Sequence, residues 1–459
     1  MVLGCTSSAG KSLLVTALAR WFHREGVDVV PFKAQNMSNN ARVVDGGEIG
    51  VAQWLQASAA RLEPHVAMNP VLLKPEADTR SQVIVRGKVR HDLSALPWRE
   101  RGQHLWPVAA QSFDELRASH ELVLIEGAGS PAEINLDDFV NNRVIVHADA
   151  AALLVADIDR GGAFAHLFGT WSLVPDPTRD RLRAFVLNKF RGDAALLEPG
   201  PTKLTDLTGM AALGVVPMLA HELPDEEGAT VRALAPEGAQ HVAVVRMPFG
   251  SNLDEFHLFA HAAHVRFVTR PADLDGVDLV VLPGSKHVAA DLAWLRREGF
   301  DRAIRDARLR GARVMGICGG AMMLGARIHD PLIVEGAADG LDILRLETTM
   351  DPKKITRRTT VEFGNLPDEW RLLEGRTAVG YEIRNGRVIA HGCATSDTRV
   401  WADGGVLATT VHGLLEDPEV LDALVGVRPP PVLDATFDAL ADAVDEHLDT
   451  DRLWAMVRR

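Results

Sequence analysis

The segment Gly4-Cys5-Thr6-Ser7-Ser8-Ala9-Gly10-Lys11-Ser12 constrains the fold more than any other stretch of the chain. A short apolar run precedes it, and SLLVTALARWFHREG follows with apolar residues at helical spacing and a glycine stop. A glycine-rich turn between a strand and a helix aims backbone N–H groups at phosphate oxygens and offers them the helix N-terminus. The usual spacing is G-x4-G-K-[ST], whereas this loop reads G-x5-G-K-S. The chemistry survives the extra residue. Thr6, Ser7, Ser8, Ala9 and Gly10 form the cradle for ATP, Lys11 reaches the β- and γ-phosphates, and the Ser12 hydroxyl is placed to ligate Mg2+.

A loop of this kind needs a parallel sheet behind it, and the sequence supplies one. VDVVPFK, ELVLIEGAG, AALLVADID, RAFVLNKF and LGVVPML read as buried strands ending in loops. After Pro217 the pattern breaks into HELPDEEGATVRALAPEGAQ, rich in acids, Gly and Pro, which marks a boundary. A second α/β alternation follows in HVAVVRMPF, VRFVTR, VDLVVLPGSK, a helix near 289–310 and ARVMGICGGAMMLGARI. The β-favouring stretch 345–410 predicts added antiparallel strands, and the chain beyond RPPPVL predicts closing amphipathic helices. The expected organisation is two doubly wound α/β domains, at 1–225 and 241–432, joined by a linker at 226–240 and followed by a helical tail at 433–459. A length of 459 residues fits two large domains.

Composition excludes several classes. With 47% apolar and 24% charged residues the chain has the balance of a globular protein, and its net charge of −13 opposes general binding to nucleic acid or membrane surfaces. Cys5, Cys318 and Cys393 lie far apart without CxxC spacing, so neither a disulfide framework nor a zinc finger is predicted. The chain enters a strand without a basic leader and has no apolar run of membrane length, so a cytoplasmic location is expected.

Two chemical centres emerge. Around the opening loop, Lys33 ends the strand VDVVPFK as a second cation for a transferred phosphoryl group. Glu126 ends ELVLIEG where a carboxylate meets Mg2+, and Glu48 in DGGEIGVAQ is a candidate for the other carboxylate. Asn188 in AFVLNKF is offered to the adenine edge. The same segment imitates the guanine-reading N-K-x-D motif, but Arg191 stands where that motif needs Asp. In the second half, ARVMGICGGAMMLG drives a strand into Cys318 among glycines and then into a helix, the pattern of a nucleophile elbow. LATTVHGLLE supplies His412 as the base, and the N–H groups of Gly319 and the turn at Gly284 are the expected oxyanion donors. The histidines of FHLFAHAAHV are expected on a helix surface.

The long loop resembles that of dethiobiotin-synthetase-like enzymes, which phosphorylate a carboxylate. Over nearly the whole chain the segments PFKAQNMSNN, MNPVLLKPEADTRSQVIVRGK, EGAGSPAEINL, DDFVN, LLVADIDRGGAFA, LPGSK, GICGG and VHGLLE resemble the glutamine-hydrolysing cobyric acid synthases. The resemblance implies an N-terminal P-loop NTPase domain and a C-terminal class I glutamine amidotransferase-like domain. It further implies amidation of adenosylcobyrinic acid a,c-diamide at its b, d, e and g carboxylates, with ATP and L-glutamine as co-substrates, Mg2+, and no prosthetic group. It places Asp138 beside the reacting carboxylate, and Asp159 and Arg160 near phosphates or substrate. A homo-oligomer is compatible with it. The chain departs from the family at Ala321, Met322 and Arg384, and Leu414 stands where class I amidotransferases commonly carry Glu, leaving the partner of His412 unassigned. The rivals are the sister synthase acting on the a and c carboxylates, opposed by EGAGSPAEINL, and a regulatory P-loop ATPase with a non-catalytic second domain, opposed by the presence of both Cys318 and His412.

Overall fold

Short strands buried on both faces, with crossover helices between them, pair in parallel, and six of them form the first sheet. The computed structural model describes residues 1–77, 80–135, 138–224 and 234–458. Across the sheet the strands run Val29–Phe32, Leu122–Ile125, Val2–Gly4, Ala152–Asp157, Leu182–Phe190 and Ala211–Pro217. Their registers include Val29↔Leu122, the bridge Val2↔Glu126, Val2↔Leu153, Leu154↔Phe185 and Ala184↔Ala211, all parallel. The loop at 4–10 leaves the central strand and enters the helix Lys11–Arg24. A hairpin, Ala41–Val44 with Gly47–Gly50, and a small sheet built on Gln35–Met37, Val71–Ala77 and Arg80–Val85 project from one end.

The second sheet has seven strands in the order His264–Val268, His241–Val245, Leu279–Leu282, Arg313–Ile317, Val406–Thr409, Val400–Asp403 and Ala394–Asp397. The first five are parallel and the last two antiparallel. The stretch expected to add antiparallel strands also forms a long hairpin, Leu346–Glu362 against Thr377–Ala390. The helix expected near 289–310 is two, Val288–Glu298 and Phe300–Leu309, because Gly299 adopts φ 86° between them and ends the first.

The tail forms two helices, Leu433–His447 and Thr450–Val457, which return to the first half. Phe437, Leu440, Ala441, Val444 and Leu453 share a core with Val15, Leu18 and Phe22 of the first helix. Buried Arg20 bonds Asp434 and Asp438, each at 2.8 Å, and Trp21 donates its indole N–H to Asp445 at 2.6 Å. Among the described residues no helix is long and apolar enough to cross a membrane.

Candidate active sites

The opening loop is braced from several sides. Lys11 folds back so that its Nζ donates to Gly129 O at 3.0 Å and Thr6 O at 3.3 Å. Gly10 adopts φ 98°, and a Cβ there would meet Asn188 Nδ2 at 2.0 Å, so both conformation and space require glycine. Asn188 Nδ2 donates to Ala9 O at 2.9 Å, and Lys189 Nζ to Ser8 O at 2.6 Å. In this structure the amide expected at the adenine edge therefore holds the loop backbone.

Glu126 is the electrostatic focus of this centre. Its Oε1 accepts from Ser12 Oγ and from Lys33 Nζ, each at 2.8 Å, while Oε2 accepts from Gln56 Nε2 at 2.5 Å. Burial favours the neutral acid, but the Lys33 ammonium and these hydrogen bonds outweigh it and hold the carboxyl below its usual range. Beside the loop lies a cavity of about 500 Å³, bordered by Met37, Trp98, Gly129, Ser130 and Asp138. Asp138 Oδ1 accepts from the N–H groups of Val140 and Asn141, and Oδ2 from the Asn141 amide, so the side chain caps the turn Phe139–Arg143. Burial raises its pKa. Asp159 and Arg160 lie on the loop after Ala152–Asp157 and are not among the residues bordering this cavity. Asp159 pairs with Arg191 at 3.0 Å, and Arg160 approaches Asp157 at 3.7 Å.

Glu48 requires a correction. Its carboxylate does not join Ser12 and Glu126 but is buried against Lys74 and, at 2.5 Å, Lys354 from the second half. Burial alone would raise its pKa; Lys354, Lys74 and Lys286 overcome that and bring it down to about 2. Both oxygens are committed to ammonium groups away from Ser12 and Glu126, and in this structure Glu48 serves as a contact between the halves.

In the second half Cys318 stands between the strand Arg313–Ile317 and the helix Gly319–Leu324 with φ 51° and ψ −104°. This strained turn sets the buried Cys318 side chain at the sheet end, and it needs small neighbours: a Cβ on Gly320 would lie 2.0 Å from Leu282 O. Cys318 and His412 line the same pocket; the thiol donates to Ile383 O at 3.7 Å, and His412 Nδ1 lies 3.1 Å from Glu255 Oε1. The other oxygen of Glu255 accepts from Gly413 N at 3.0 Å, fixing the carboxylate. Burial opposes a charge on His412, but Glu255 and the neighbouring Cys318 outweigh it and push the imidazolium up to about 10. Gly319 borders the Cys318 pocket, whereas Gly284 backs the His412 ring, 2.8 Å from where its Cβ would be.

Glu255 is the partner that sequence reasoning missed. It lies 157 residues before His412, on the turn Leu253–Phe256 within SNLDEF, where no local motif marks it. Further along, His257 and His261 are not on a helix surface: they lie on short turns with side chains 15% and 11% exposed, facing Glu222. Met322 and Arg384, two of the family departures, border the Cys318 pocket, and Arg384 is anchored to Glu382 at 2.7 Å.

A strap from the first half reaches this triad. Asn40 Oδ1 accepts from Leu253 N at 3.1 Å, and Ala41 O accepts from Asn252 Nδ2 at 3.2 Å. Buried Arg42 pairs with Asp254 and Glu416 and donates to Tyr381 Oη at 2.7 Å. The Tyr381 ring stacks on His412 with centroids 5.5 Å apart.

The sequence matches two family descriptions in the same order as the two sheets. Residues 1–228 match the CobQ/CobB/MinD/ParA nucleotide binding domain, and residues 241–420 the CobB/CobQ-like glutamine amidotransferase domain. Whole-chain relatives include the cobyric acid synthases of Variovorax paradoxus (strain S110), 51% identical, and Paracidovorax citrulli (strain AAC00-1), 53% identical. Each of these alignments covers 100% of this chain and 98% of the relative.

Proposed function

Because this chain belongs to the cobyric acid synthase family, we propose that it amidates the b, d, e and g carboxylates of adenosylcobyrinic acid a,c-diamide with ATP and L-glutamine. The observation that carries this reading is the presence in one chain of a Cys318–His412–Glu255 triad and a phosphate cradle backed by Lys33 and Glu126. One centre releases ammonia and the other makes a carboxylate reactive toward it. On this reading residues 1–225 form the ligase and residues 241–432 the glutaminase, with 226–240 between them and 433–459 closing the ligase.

At the glutaminase centre Sγ of Cys318 attacks the glutamine carboxamide carbon, and the Gly319 N–H faces the developing oxyanion. His412 gives its proton to the leaving nitrogen, ammonia departs, and water attacking the thioester regenerates the thiol and yields glutamate. Glu255 holds the imidazole in place and stabilises its charge. At the ligase centre a corrinoid carboxylate oxygen attacks the γ-phosphorus of ATP, releasing ADP and leaving an acyl phosphate. Ammonia then attacks the acyl carbon, and phosphate leaves. Activation is needed because a free carboxylate is resonance-stabilised and lacks a leaving group. The cavity beside Gly129, with Asp138 on its wall, is the proposed seat of the corrinoid side chain. Ser12 and Glu126 fit Mg2+: they offer hard oxygen donors 2.8 Å apart at the phosphate cradle. When bound, the ion offsets phosphate charge, while Lys11 and Lys33 position the phosphoryl group.

Incubation with Mg·ATP, glutamine and adenosylcobyrinic acid a,c-diamide, followed by corrinoid mass spectrometry, tests the reading. Each amidation exchanges a hydroxyl for an amino group and lowers the mass by about one unit, as expected for substitution at an activated acyl carbon. An unchanged corrinoid, or amidation only of the ring whose a and c positions are still acids, would overturn it.

A further inference from the structure

Outside both reaction centres, Glu222, His257 and His261 converge at the seam between the halves. Their nearest ligand atoms all lie within 4.8 Å of one another. Glu222 Oε2 is 3.3 Å from His261 Nε2 and 3.9 Å from His257 Nε2. Zinc bonds of about 2.0–2.1 Å in tetrahedral geometry put neighbouring donors roughly 3.3–3.4 Å apart, so this spacing surrounds one ion with little rearrangement. Two of these atoms also lack a hydrogen bond. Glu222 Oε2 and His261 Nε2 are both shielded from solvent and make no hydrogen bond, although they lie 3.3 Å apart. Buried polar atoms left in this state are costly, and a cation between them would satisfy both.

We propose that Glu222, His257 and His261 form a site for a divalent transition metal, with Zn2+ the best match. Two imidazoles and one carboxylate favour Zn2+ over Mg2+ or Ca2+, which prefer all-oxygen shells. Binding requires one exchange: His257 Nε2, which donates to Glu222 O at 2.9 Å, gives up that bond to present its lone pair. His221 Nδ1 accepts from Leu223 N at 3.3 Å and helps shape the turn carrying Glu222. The site has a structural consequence. Leu223 lies in the core of the first half, while His257 follows Glu255 by two residues, so the ion ties the end of the ligase to the turn that orients the catalytic histidine.

The test is equilibrium dialysis of the full, untagged chain against Zn2+, with Co2+ as a spectroscopic probe. The expected result is one more equivalent of Zn2+ per chain in the wild type than in the His257→Ala/His261→Ala variant. The Co2+ form should show visible bands of a nitrogen and oxygen shell without the thiolate charge transfer that binding at Cys318 would produce. Glu222→Gln, nearly isosteric, should weaken Zn2+ affinity by roughly tenfold or more while the metal-free melting temperature is unchanged. Equal stoichiometry and cobalt spectra in wild type and double variant, or no metal retained by the wild type, would overturn the proposal.

Discussion

On the proposed reading Cys318, His412 and Glu255 divide the work of a single proton and a single nucleophile, so their removal should have distinguishable effects. Cys318→Ala should reduce glutamine-dependent amidation by about 10³-fold or more, while ammonium salts still support it through the intact ligase centre. Glutaminase and corrinoid assays run side by side check this. Glu255→Gln removes a carboxylate that favours the imidazolium, so the His412 pKa must fall. The alkaline limb of the glutaminase kcat/KM profile, set by loss of that proton near pH 10 in the wild type, should move to lower pH. The rate should drop by roughly 10²–10⁴-fold, since the ring loses orientation as well as charge stabilisation. At this scale the sequence was legible where chemistry leaves a local mark. Cys318 sits in a glycine-flanked strand-to-helix turn, and Glu126 ends an apolar strand. Glu255 carries no such mark, because its partnership with His412 exists only once the turn at 253–256 and the loop after Val406–Thr409 meet in space.

The element that joins these residues to the ligase is the strap at Asn40–Arg42, and its strength lies in burial. Arg42 brings a guanidinium among Asp254, Glu416 and Tyr381, so Arg42→Ala would leave two carboxylates facing each other without a cation. Breaking such a pair costs about 3–5 kcal/mol. We expect a lower melting temperature and reduced glutaminase kcat, with Arg42→Lys recovering part of each; calorimetry and steady-state kinetics check both. The parallel strands of both sheets were readable from continuous apolar runs except Val406–Thr409, which lies in the stretch expected to be antiparallel but pairs in parallel with Arg313–Ile317. The short strands between 35 and 50 were not, because their residues are held by contacts with the other half and by backbone pairing rather than by an alternating pattern. Gly299 was visible in the sequence, but its left-handed turn, which divides the helix near 289–310, became evident only in the fold. Glu48 shows a similar limit: an acid near a phosphate loop suggests a metal, and only the approach of Lys354 from more than 300 residues away reveals a salt bridge.

Over the whole molecule, the halves meet at the Cys318 pocket, where on the proposed reading ammonia is released. The Cys318 pocket is bordered by Lys74 of the first half and by Lys286 and Lys354 of the second. Burial and neighbouring cations bring Lys74 down to about 7 and Lys286 to about 8, while Glu48 opposes both shifts. Glu48→Ala removes the carboxylate that opposes both shifts, so Lys74 and Lys286 should shed protons at lower pH and the salt-bridged contact should loosen, and free ammonium should then exceed new amide when both are counted in one reaction. Ser12→Ala and Lys11→Ala should abolish ATP-dependent amidation while glutaminase activity persists, because neither residue contacts the triad. The tail makes the ligase depend on the far end of the chain. Phe437→Ala should cost about 3–5 kcal/mol by emptying a core shared with Leu18 and Phe22, seen as a fall in melting temperature. That docking also imposes an order of synthesis. The ligase half emerges from the ribosome first, but the apolar flank of its opening helix stays uncovered until residues 433–457 arrive, so the first part begun is the last part finished.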